Sequence, residues 1–66
     1  MAVLKVLEIL SDSDKSWEDA AARGIKKASK TVKNIRSAFV QSQSVTVKNG
    51  EVSTYRVNLK ISFEVS

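Results

Sequence analysis

Cysteine and histidine are both absent from the chain. Without thiols there are no disulfides, and without thiols or imidazoles most structural metal sites are excluded. The same absences remove the commonest general base and the best nucleophile, which argues against an enzyme. No apolar run reaches the roughly 20 residues of a membrane span. The N-terminus lacks the charged start, long apolar core and small-residue cleavage site of a signal peptide. A soluble, cytoplasmic protein without a membrane partner is expected.

What is present is a short, basic chain. Its 66 residues make a single domain, 1–66, and folding at this size buries only about 60% of the surface an unfolded chain exposes. With disulfides excluded and most metal sites gone, self-association is the remaining way to reinforce so small a core. Eleven basic residues against seven acidic ones give a net charge of +4, which favours an anionic partner without identifying it.

One stretch organises the rest. From Glu51 to Val65 apolar and polar residues alternate, with Tyr55, Val57, Leu59, Ile61, Phe63 and Val65 on one side. Side chains of a strand point alternately to its two faces, so the pattern describes a long strand with one dry and one wet face. Asn49-Gly50 immediately before it tolerates the positive φ angles of a type I′ turn, which folds Arg36 to Lys48 back as a hairpin partner. Ala2 to Leu10 (AVLKVLEIL) is rich in Val, Leu and Ile and is expected to be a strand paired with Glu51 to Val65.

Between them, Ser11 to Ser16 reads as a loop, because short polar side chains compete for local backbone groups. Ser16 is the expected N-cap, with Glu18 and Asp19 in the first helical turn. Apolar Trp17, Ala21, Ile25, Ala28, Val32 and Ile35 recur near a 3.6 spacing, predicting an amphipathic helix from Trp17 to Thr31 or Lys33. Gly24 in its middle marks a close approach to another element, since it costs about 1 kcal/mol against Ala. The fold class is α+β: a β-α-β-β subunit with an antiparallel sheet and one helix across its apolar face. A helix of about 15 residues is roughly 22 Å long, and about ten residues of strand exceed 30 Å, so apolar ends are left for neighbours.

Each candidate site has a plainer explanation beside it. Arg23, Lys26, Lys27, Lys30 and Lys33 could meet phosphates, but no aromatic lies among them for base stacking and no helix-turn-helix partner exists, which speaks against nucleic acid. Asp12 and Asp14 offer hard oxygen ligands for Ca²⁺ or Mg²⁺, yet Trp17 stands where a calcium-binding EF-hand loop needs Gly, and turn formation or capping explains the residues. Trp17 could offer a ligand-stacking surface, but its place on the apolar helix face reads as core or subunit contact. The row Arg56, Asn58, Lys60, Ser62 and Glu64, with Gln41 and Gln43, is either a wet sheet face or the lining of a polar pocket or channel in an assembly.

The sequence resembles the dodecins over nearly its whole length. The matching pieces are Lys5-Val6, Ser16-Trp17-Glu18-Asp19-Ala20-Ala21, Ala28-Ser29-Lys30-Thr31-Val32-Lys33-Asn34-Ile35, Asn49-Gly50 and Tyr55-Arg56-Val57-Asn58-Leu59-Lys60-Ile61-Ser62-Phe63. The resemblance implies a three-stranded antiparallel sheet wrapped partly around the helix, and twelve subunits in a hollow shell. It also implies storage or sequestration rather than catalysis, with FMN or riboflavin stacked in pairs between subunits and, in some members, coenzyme A. The position implied for the flavin-stacking tryptophan is Ser37, and that of the hydrogen-bonding glutamine is Arg56. A hydroxymethyl group has no π-face, so stacking worth about 1–3 kcal/mol per ring is missing and flavin binding is weakened or lost. Arg56 could pair with a phosphate or lie over a ring. The Ser-Trp-Glu helix start and Ile35-Arg36 resemble a branch without the flavin tryptophan in which calcium binding is known. The resemblance assigns no residue here to calcium.

Overall fold

The structure, a computed structural model, describes residues 2–65. Strand β1 (Leu4–Ser13) leads into helix α1 (Trp17–Ala28), followed by β2 (Ile35–Lys48) and β3 (Glu51–Glu64). The sheet is antiparallel in the order β1-β3-β2. The strand with the cleanest alternation is therefore the central one. Its odd-numbered residues form the dry face: Val57, Leu59 and Ile61 are buried and enclose Ala20 of the helix, with Trp17, Ala21, Ile25, Ile9, Ile35 and Ala38 packed around them.

The turns follow the expected chemistry. Asn49 and Gly50 have φ of 54° and 77°, the pair of positive angles a type I′ turn requires. The Ser16 hydroxyl accepts from the Asp19 backbone N–H at 2.9 Å, capping the helix. Gly24 is buried, and a Cβ built there would stand 2.9 Å from the Ser11 Cβ.

Three boundaries and one face differ from expectation. β1 begins at Leu4 and runs on through Ser11, Asp12 and Ser13. These residues continue the strand because their side chains find partners outside it, although the Ser13 hydroxyl also accepts from the local Lys15 N–H at 2.9 Å. The Ser11 hydroxyl donates to the Ala20 carbonyl at 2.7 Å, the Ser13 hydroxyl donates to Asp19 Oδ2 at 2.6 Å, and Asp12 pairs with Arg56. The helix ends at Ala28, about a turn early, since Lys30 and Thr31 donate to carbonyls only three residues back. The hydroxyls of Ser29 and Thr31 compete for the same turn. β2 carries register shifts between Ile35 and Ser37, Val40 and Ser42, and Thr46 and Val47. The second shift places Gln43 opposite Val57, on the helix side, and brings Ser42 and Ser44 to the wet face in place of Gln43.

The helix covers too little. Its 12 residues span about 18 Å, while the molecule extends 49 × 20 × 14 Å. It packs mainly on β1 and β3 and barely touches β2. The chain exposes 4963 Å², where a compact monomer of 7.3 kDa exposes about 4200 Å².

Candidate functional site

The sheet face turned away from the helix gathers most of the chemistry. Along β3 it presents Thr54, Arg56, Asn58, Lys60, Ser62 and Glu64, because alternation sends their neighbours to the core. The antiparallel register adds Leu4, Val6, Glu8, Leu10 and Asp12 from β1 on one flank. β2 supplies Ser37, Phe39, Ser42 and Ser44 on the other. A polar row thus runs between two strands that carry apolar side chains, with Val6, Leu10 and Phe39 each more than 60% exposed.

Arg56 is half-buried and fixed. It stands opposite Asp12 and grips it through Nε to Oδ1 at 2.7 Å and Nη2 to Oδ2 at 3.0 Å. Such two-point contacts set orientation as well as charge. The hydrogen bond from Arg56 holds the Asp12 carboxyl below its usual value of 3.8, and Asp12 in turn raises the pKa of the guanidinium. At the other end, Ser37 faces Ser62 across the ladder with the two hydroxyls hydrogen-bonded. Arg36, the extra residue of the first shift, reaches Glu64 at 3.2 Å.

Ser37 and Arg56 therefore share a face but do not converge. Ser62, the partner of Ser37, lies six residues along β3 from Arg56, about 20 Å at the rise of a strand. A small molecule touching both positions would need more than one copy of the chain. Between them the Asn58 Oδ1 is buried without a hydrogen-bond partner, an arrangement native proteins keep rare. No sequence signal marked it.

The other candidates resolve differently. Trp17 is structural: its Nε1 donates to the Ser44 carbonyl at 2.9 Å, and its ring stands edge-on to Tyr55 with centroids 5.2 Å apart. Asp12 and Asp14 do not form a metal site, since Arg56 engages both Asp12 oxygens. Asp19 is held below 3.8 chiefly by the Ser13 hydroxyl, with Arg23 and Lys15 adding to it. Among the described residues no three acidic side chains cluster as ligands would. The described residues of one chain therefore do not by themselves fit a calcium ion. Lys26, Lys27, Lys30 and Lys33 are exposed, and none forms an ion pair among the described residues. Among the described residues no helix is long and apolar enough to cross a membrane.

The sequence-family model described as Dodecin matches residues 3–66. A protein of Mycobacterium tuberculosis named calcium dodecin is 40% identical over 65 residues, covering 98% of this chain and 92% of the relative. Among solved structures, a dodecin from Streptomyces davaonensis superposes with a TM-score of 0.93 at 23% identity, covering 98% of this chain and 96% of that one. The calcium chelating immunodominant antigen of Mycobacterium tuberculosis, calcium dodecin, described with a novel calcium-binding site, superposes at 0.86 with 39% identity, covering 98% and 93%.

Proposed function

The chain belongs to the dodecin family, and from that membership we propose a non-enzymatic, cytoplasmic binding protein that assembles into a homododecameric shell and sequesters a small molecule. The observation that carries this reading is the uncovered apolar surface. Leu4, Val6 and Leu10 on β1 and Phe39 on β2 are exposed on the face away from the helix, and scattered burial by water is a poor end state for so large an apolar share. The excess over a compact monomer, about 800 Å², is the area one partner contributes to an interface of standard size.

Flavin binding is weak or lost in this proposal. The tryptophan position holds Ser37, already hydrogen-bonded to Ser62, and the glutamine position holds Arg56, already bound to Asp12. FMN, riboflavin or coenzyme A would gain the Arg56 guanidinium only by competing with that carboxylate. Light scattering at micromolar protein is expected to give twelve times 7.3 kDa, about 88 kDa; a 7.3 kDa particle sinks the assembly. FMN fluorescence is expected to stay unchanged with the parent protein and to be quenched by Ser37→Trp. Strong quenching by the parent would refute the loss of flavin binding.

Calcium binding is a second reading, favoured by the name of the 40% identical relative. Since one chain offers no suitable cluster, the ligands would be carboxylates of adjoining copies. Calcium bound only by the assembled state must raise the melting temperature, and an unchanged melting curve rejects this reading.

A further inference from the structure

A concave feature lies at the free edge of the sheet, bordered by Leu10 and Asp12. β1 is an edge strand, and between its free side and α1 runs an open groove of about 580 Å³, within the range of small-molecule sites. Ile9, Gly24 and Ala28 form an apolar floor, and Arg23, Lys27 and Thr31 line the helix side. Gly24 belongs there for a geometric reason: its missing side chain lets the helix backbone settle against Ser11.

The groove's charged lining residues are the basic Arg23 and Lys27 and the acidic Asp12. From Ala20 to Gly50 the chain carries seven basic residues and no acidic one. Arg23 and Lys27 are one turn apart on a single helix face, which brings their cationic ends together. Asp19 engages Arg23 at Nε, 2.8 Å away, while Lys27 has no carboxylate partner among the described residues. Asp12 also borders the groove, but Arg56 holds both its oxygens.

We propose that this groove binds a phosphate monoester with an apolar body, its head on Arg23 and Lys27 and its body over Ile9 and Ala28. Guanidinium and ammonium groups together match a doubly charged tetrahedral anion. The apolar floor supplies what inorganic phosphate cannot use. The groove shares Leu10 and Asp12 with the outer face but uses neither to hold the ligand, so failure of flavin or calcium binding does not remove the Arg23 and Lys27 contacts.

Calorimetric titration of the full assembled protein with n-hexyl phosphate tests it. Hexyl phosphate is expected to bind at least about tenfold more tightly than inorganic phosphate or hexanoate, and hexanol not at all. Lys27→Gln should weaken binding about tenfold, while Lys26→Gln, which removes the same charge from a residue outside the groove, should change it less than about twofold. Thr31→Trp, at an exposed turn position, should fill the groove and abolish binding while the assembly mass stays constant. The proposal is overturned if the parent does not bind hexyl phosphate. Equal losses from the two lysine variants would overturn it as diffuse electrostatics, and hexanoate binding as tightly would overturn the phosphate assignment.

Discussion

Replacing Gly24 by alanine should destabilise the protein, against the ordinary effect of that change in a helix. In an open helical position the substitution gains about 1 kcal/mol, because glycine has the larger backbone entropy to lose. Here the new methyl would stand 2.9 Å from the Ser11 Cβ, 3.1 Å from its hydroxyl oxygen and 3.3 Å from Leu59 Cδ1. Ordinary contact begins at 3.4 Å, so the first overlap is about half an ångström. The Leu59 methyl can rotate aside. Ser11 Cβ cannot, because it is fixed to a strand paired with Val57 and its hydroxyl holds the Ala20 carbonyl. Overpacking of this kind costs about 1–3 kcal/mol, leaving a net loss of about 0–2 kcal/mol once the propensity gain is set against it.

The assay is thermal unfolding followed by circular dichroism at one fixed protein concentration, since any assembly makes the midpoint depend on concentration. For a domain of this size 1 kcal/mol shifts the midpoint by about 4–8 °C. The control is Gly24→Ala in a Ser11→Gly background, where the offending Cβ is gone. There the alanine should be neutral or stabilising, and the difference between backgrounds is the coupling energy of the contact. A single Gly24→Ala variant that melts higher than the parent refutes the close approach. Equal losses in both backgrounds would show that the cost arises elsewhere.

Acid should weaken the fold in a defined window. Asp12 and Asp19 are both held below 3.8, the first mainly by Arg56 and the second mainly by the Ser13 hydroxyl. A folded value below the unfolded one means that the contribution is complete above pH 3.8 and is lost as the pH falls through the lower folded values. Asp12→Asn should therefore make the acid branch of stability less steep; an unaltered slope would discount the ion pair. Ser16→Ala removes the acceptor for the Asp19 N–H and should reduce stability by about 1 kcal/mol, with Ser16→Asp restoring most of it. Equal melting of Ser16→Ala and the parent would show that the cap is replaceable by water.

The parts of this fold that were legible in the sequence are those where a single physical preference acts alone. β3 could be read because it is central, with one face in the core and the other outside, so alternation is undisturbed. The turn at Asn49-Gly50 and the cap at Ser16 are local geometries that few residues satisfy. The polar end of β1 was misread because Ser11, Asp12 and Ser13 have two competing uses, and only the tertiary partners Ala20, Arg56 and Asp19 decide between them. Pairing β1 with β3 in antiparallel register would have set Asp12 opposite Arg56, and that was the signal available. The faces of β2 were harder, since each register shift reverses the alternation beyond it. The order of the residues alone does not say where a strand bulges.

The tip of the sheet bears on the proposed assembly. β1 ends at Ser13, opposite Tyr55, so the sheet beyond that point is a two-stranded hairpin carrying exposed Val45, Val47 and Val52. An isolated hairpin in water is at best marginal, and neither the Thr46–Thr54 hydroxyl pair at 2.6 Å nor the turn itself buries its apolar side chains. Of the three register shifts in β2, the one between Thr46 and Val47 falls in this tip, while the other two lie where β1 also pairs with β3. In the proposed assembly a neighbouring copy covering the tip would supply the missing layer.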